Sequence, residues 1–207
     1  FSMVSLKQII LAVPAILLAI SVHEYGHAFM AYKLGDPTPK YQGRLSLNPM
    51  AHLDPLGTIM LLLFRVGWAR PVMINAQYFK NKKRGTLLVS LAGPVANLIT
   101  AWIFYNIVSI FGQHMLRSGM GQSLILFLYI NVQMNLGLAA FNLIPIPPLD
   151  GSHILAGLLP PRLSYEYSKL APYGPIVLIM LLVFGGSRYL INPIFNVLLR
   201  ILDSLSL

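Results

Sequence analysis

Residues 8–34 read QIILAVPAILLAISVHEYGHAFMAYKL, an apolar run with three ionisable side chains, His23, Glu24 and His27, inside five consecutive positions. A helix needs about 20 apolar residues to cross a hydrocarbon core, so this stretch is long enough to span. Lys7 precedes it, Lys33 marks its exit, and Gly35 stands where a helix C-terminus favours a residue able to take positive φ. In hydrocarbon each ionisable group costs on the order of 2.5–3.5 kcal/mol even on the most lenient insertion scale. Three together therefore need a compensating partner.

The rest of the chain has the same character. Of 207 residues, 56% are hydrophobic and 10% charged, and the mean hydropathy is +0.68. A soluble domain carries about a quarter charged residues, so neither a water-soluble globule nor a disordered chain fits. There is no cysteine, which removes disulfides, thiolate metal ligands and a cysteine nucleophile. The net charge of +9 is distributed between apolar runs, as membrane topology requires, and no nucleic-acid partner is expected. Two more full spans are predicted at Thr86–Phe111 and Ser123–Leu143, with shorter apolar segments at Leu56–Phe64, Ile154–Leu159, Tyr173–Phe184 and Leu190–Leu202. Asp54-Pro55 suits an N-cap followed by proline at the first helical position. Leu56–Phe64 is short enough to re-enter rather than cross, and Arg65–Ala76 (RVGWARPVMINA) reads as an irregular or β-hairpin segment beside the membrane. The expected fold is an all-α polytopic membrane protein, one domain over residues 1–207, with about five to six transmembrane or re-entrant helices. Nothing in the sequence sets an oligomeric state.

Residues four apart stack on one helix face, so His23 and His27 can offer two imidazoles to a single ion. Glu24 lies one residue round, near enough to meet a metal-bound water but angled away from serving as the third ligand. This is the HExxH spacing of zinc hydrolases, in which the metal acidifies water and the glutamate takes its proton. A proton relay, a metal-ion transport path or a catalytically silent polar cluster in a membrane scaffold would use the same residue types. A catalytic zinc site takes three protein ligands and keeps one open position. The acids are Glu24, Asp36, Asp54, Asp150, Glu166 and Asp203, and Asp150 is the best candidate. It follows Asn142-Leu-Ile-Pro-Ile-Pro-Pro-Leu, where prolines unwind the end of a span, and unwound backbone at membrane depth must be buried or face a wet cavity. Its other reading is as N-cap of a helix starting at Gly151. If the basic run FKNKKR (79–84) is cytoplasmic, both constellations lie on that side of the bilayer.

Three motifs in this order, HEYGH (23–27), AGPVAN (92–97) and FNLIPIPPLDG (141–151), together resemble the site-2 protease (M50) family of intramembrane zinc metalloproteases. The resemblance covers roughly Ala12 to Leu155. It implies one Zn2+ per chain held by His23, His27 and Asp150, with Glu24 as general base and a transmembrane polypeptide as substrate. It also implies that Asn142 orients substrate or stabilises the oxyanion, and that Asn97 positions or packs. RLSLNPMAHLDP (44–55) and GWARPV (67–72) resemble the compact prokaryotic branch of the family, without PDZ or CBS domains. That likeness points to a prokaryotic cytoplasmic membrane. His52 is a candidate for supporting or gating the site, with loop hydrogen bonding as its plainer role. His153, one turn after Asp150, can approach the metal, and His114 is expected in a solvent-facing loop.

Overall fold

The computed structural model describes residues 6–54, 57, 70–116 and 121–206. Its longer elements are α1 (Leu6–Lys33), α2 (Lys82–Leu116), α3 (Gly121–Asn142), α4 (Asp150–Leu158), α5 (Pro161–Ser168), α6 (Gly174–Val183) and α7 (Ser187–Ser204). No strand occurs among the described residues. Leu6–Lys33, Lys82–Leu116, Gly121–Asn142 and the stretch Pro161–Val183 are long and apolar enough to cross a membrane. The Leu56–Phe64 segment lies outside the described residues apart from Gly57, whose N–H is capped by Asp54 Oδ1 at 2.8 Å, as the Asp-Pro pattern predicts.

The spans run longer than their apolar cores. α2 begins within the basic run and ends at Leu116, so His114 is an exposed helical residue and not part of a loop. Pro94 is carried inside α2 without ending it. α1 ends as its glycine predicts. Gly35 has φ +103°, its N–H bonds the Tyr32 carbonyl, and Asp36 N–H reaches back to Ala31. That pair of bonds is a Schellman motif, satisfying carbonyls that the last helical turn leaves open.

What the spans bury is the reverse of a soluble core. Inward positions of α1 to α3 are small or polar, such as Ala19, Gly26, Ala28, Gly93, Asn97, Asn131 and Asn135. Large apolar residues such as Ile10, Ile99, Ile103 and Leu124 point outward. Lipid is as apolar as leucine, so membrane helices associate by close packing and internal hydrogen bonds instead of by hiding apolar surface. A Cβ on Gly26 would sit 2.6 Å from the Ala92 carbonyl oxygen and 3.0 Å from Ala96 Cβ, which shows how tightly α1 meets α2 there. α7 closes the bundle, setting Leu198 and Leu202 against Ala101, Val132, Leu136 and Ala140.

α4 lies against the N-terminal part of α2. Gly157 packs on Leu87, and Lys83 Nζ donates to the Leu159 carbonyl at the C-terminus of α4. The proline-rich turn before α4 is held by Tyr167, whose hydroxyl donates to the Pro145 carbonyl at 2.8 Å. Residues 36–54 and 70–78 form a strap over the end of α1. Asp36, fully buried, accepts from Thr38 N–H at 2.9 Å and from Asn75 N–H at 2.7 Å, joining the two halves.

Gly26→Leu should drive α1 away from α2 and cost about 1–3 kcal/mol, read as a lower Tm by circular dichroism in mild detergent. Gly137→Ala, where a Cβ meets nothing within 4 Å, should leave the Tm unchanged or raise it.

Candidate metal centre

His23 and His27 project from adjacent turns of α1 into the interior, only 5% and 8% exposed. Each ring is oriented through Nδ1. His23 Nδ1 meets Asn97 Oδ1 at 2.6 Å, and His27 Nδ1 meets the Val89 carbonyl at 2.7 Å. Both partners are acceptors, so both imidazoles place their proton on Nδ1 and leave a lone pair on Nε2. The Asn97 orientation is itself determined, because its Nδ2 donates to the Ala19 carbonyl and to Asn135 Oδ1. Asn135 in turn donates to the Asn131 carbonyl one helical turn away. A chain of buried amides on α2 and α3 thus fixes which face His23 turns towards Asp150.

The two Nε2 atoms lie 3.1 Å apart, and Asp150 Oδ2 lies 3.1 Å from His23 Nε2 and 3.3 Å from His27 Nε2. Asp150 Oδ2 is buried and accepts no hydrogen bond. Three electron-pair donors therefore face one point with no proton between neutral imidazoles and carboxylate to share. A cation held among the three atoms relieves that arrangement. Zinc bound tetrahedrally at about 2.0–2.2 Å to nitrogen and oxygen separates its ligand atoms by about 3.3–3.5 Å, close to the observed spacing. The donor set fits the ion.

Asp150 occupies the first position of α4, and the N-cap is Leu149, without any side-chain cap bond. The reading of Asp150 as only a helix cap therefore does not describe it. Its approach depends on Gly151, where a Cβ would collide with the Leu143 and Ile144 carbonyls. Gly93 is the matching concession on α2, since a Cβ there would lie 2.5 Å from His27 Nε2 and 2.8 Å from His23 Cε1. The sequence reading passed over Gly93 and Gly151 as individual contacts, and over the Asn131–Asn135 pair. The pair had a signal available: two amides four apart inside an apolar span.

Glu24, Asn142 and His153 line the same cavity of about 490 Å³ as the three donors. Glu24 Oε2 accepts from Val72 N–H at 3.2 Å, so the strap passes directly over the carboxylate. Asn142 Nδ2 donates to the Leu138 carbonyl of its own helix at 3.0 Å, which anchors the amide at the cavity wall. His52 is fully buried elsewhere, within the strap: Nε2 donates to the Ser46 carbonyl at 2.6 Å, and its backbone carbonyl receives Arg70 N–H at 2.8 Å. That arrangement is loop hydrogen bonding. Residues 71–75 have no regular structure and read as the irregular alternative to a hairpin, while 65–69 lie outside the described residues.

A model of "Peptidase family M50" matches residues 113–182, which include Asp150. The chain is 43% identical to YwhC of Bacillus subtilis, provisionally named a zinc metalloprotease, over 87% of this chain and 84% of that protein. It is 31% identical to Rip2 of Mycolicibacterium smegmatis, named in the same provisional way, over 84% of this chain and 67% of that protein. It is 30% identical to "Zinc metalloprotease MJ0392" of Methanocaldococcus jannaschii, over 86% of this chain and 44% of that protein. No solved structure matches the chain at a significant level.

Asn97→Ala removes the acceptor that orients His23. Divalent-metal affinity should fall by about 10–100-fold, measured by chelator competition, while the helical content is retained.

Proposed function

The chain belongs to peptidase family M50, and we propose that its zinc-dependent hydrolysis of membrane-embedded polypeptides is performed by the residues gathered around His23, His27 and Asp150. The observation that supports this reading most is the convergence of three potential donor atoms, within 4.8 Å of one another, in the cavity that also holds Glu24. His23, His27 and Asp150 would hold the ion. When bound, zinc supplies Lewis acidity, polarising a scissile carbonyl and lowering the pKa of water towards neutrality.

The protein's own residues do the rest. Glu24 accepts the proton of the attacking water and returns it to the leaving amine. The Val72 N–H holds Oε2, so the carboxylate keeps one orientation while Oε1, which takes no hydrogen bond among the described residues, serves that transfer. Asn142, fixed by its bond to Leu138, has a second amide N–H with which to meet the developing oxyanion. Asn97 acts one step removed, by orienting His23. For His52 the position in the strap favours a structural task at the edge of the site.

A transmembrane substrate must unwind before its carbonyl can reach the centre, because helices engage their own peptide groups. The strap offers an edge for that purpose: the Met73 and Ile74 backbone groups carry no hydrogen bond among the described residues. An unwound substrate can pair with them by strand addition. The cluster 79–84 favours a topology with this end of the bundle at the cytoplasmic face of a prokaryotic membrane, and the 207 residues act as one catalytic domain.

Glu24→Gln should retain stoichiometric zinc yet lose cleavage of a membrane-anchored reporter by about 10²–10⁴-fold. Undiminished cleavage would falsify Glu24 as the base, and liposome ion flux lost on ligand mutation, without any proteolysis, would support a transporter instead. Chelation should abolish cleavage, and added zinc should restore it. Photocrosslinkers at Val72 or Ile74 should capture substrate; consistent failure at both positions would rule out pairing along the strap.

A further inference from the structure

We infer that Arg44 and Arg70 form a binding site for the phosphate of an anionic membrane lipid, on the far side of the strap from the metal centre. Arg44 is 4% exposed, and its Nη1 donates to the Ala51 and Arg70 carbonyls. No carboxylate pairs with either arginine among the described residues. Arginine is almost never this buried without a counter-charge, because an unpaired guanidinium keeps its desolvation cost. The two side chains line a cavity of about 560 Å³ together with Gln42, Met50 and Met73. Burial, and then the charge of Arg70, lower the Arg44 pKa, partly offset by Glu24. The guanidinium stays charged, with donors beyond Nη1 that no acceptor takes among the described residues. Two positive forks around one polar cavity are a geometry suited to phosphate oxygens.

The surroundings favour lipid as the source of that phosphate. Met50 and Met73, which line the cavity with the arginines, are 76% and 63% exposed, and Tyr41, Leu47 and Tyr78 on the same strap expose between 53% and 83% of their surface. The strap starts directly after Lys33 closes α1, so this apolar and aromatic rim lies at the end of a membrane span. Apolar and aromatic side chains beside basic groups are the composition of surfaces that rest in the headgroup layer. Pro71 lines both this cavity and the catalytic one, and Arg44 holds the carbonyl of Arg70 two residues before Val72. A lipid seated there braces the segment that contacts Glu24.

The test uses the full chain reconstituted in phosphatidylcholine vesicles with or without phosphatidylglycerol, then extracted for native mass spectrometry. The wild type should retain phosphatidylglycerol in preference to phosphatidylcholine. Arg70→Gln removes an exposed charge without touching the backbone bonds of Arg44, and it should weaken that retention about tenfold. Lys80→Gln, an exposed charge outside the cavity, should have no effect. Equal retention of both lipids, wild-type retention by Arg70→Gln, or an equal loss in Lys80→Gln would each overturn the site. Displacement of the lipid by inorganic phosphate at matching concentration would overturn the lipid as its ligand. The readout is lipid occupancy, so it stands apart from whether the chain cleaves peptides.

Discussion

The structure depends on the hydrogen bond between His23 Nδ1 and Asn97 Oδ1. At membrane depth a polar atom has no water to turn to, so each buried donor and acceptor has to be satisfied by the protein. By donating its proton to Asn97, His23 is left with a lone pair facing inward, and the Val89 carbonyl does the same for His27. Asn97 is held by Ala19 and Asn135, and Asn135 by Asn131, so the orientation of one ring is spread over three spans. A candidate metal centre is thereby built into the packing of the bundle rather than added to its surface.

Close approach makes those bonds reachable. Gly26 lets α1 meet the α2 backbone, Gly93 leaves room for both imidazoles, and Gly151 lets the start of α4 fit against the end of α3. Each glycine removes a side chain that would hold its neighbours apart: Gly26 and Gly151 sit next in sequence to His27 and Asp150, and Gly93 packs from α2 against both imidazoles. Small residues at membrane-helix contacts are a packing device, and here they also set the distances on which the chemistry depends.

The strap adds a second layer of organisation. Asp36 joins its two halves, Arg44 and His52 tie the 44–54 loop to residue 70, and Val72 reaches Glu24. One short, irregular segment thus lies between the Glu24 carboxylate and the Arg44–Arg70 pair. Because Val72 N–H bonds Glu24 Oε2, the position of the strap and the orientation of that carboxylate are linked.

Much of this was legible in the chain. The length of residues 8–34, the HEYGH spacing, the prolines before Asp150 and the positive-φ position at Gly35 each carry a local signal, because helix period, span length and turn chemistry are short-range properties. The same signals placed helix ends less well: α2 extends through both its basic start and its polar end, since its termini are decided by packing and capping rather than by hydropathy. Tertiary structure alone decided that Asp150 Oδ2 faces the two Nε2 atoms and does not cap its helix. It also decided which nitrogen of each histidine is free, and that His52 supports the strap. The first two outcomes require groups 62 to 127 residues apart in sequence to come within hydrogen-bonding distance, the last requires His52 to meet the Ser46 carbonyl and Arg70 N–H across a loop, and no local pattern records which atoms will meet.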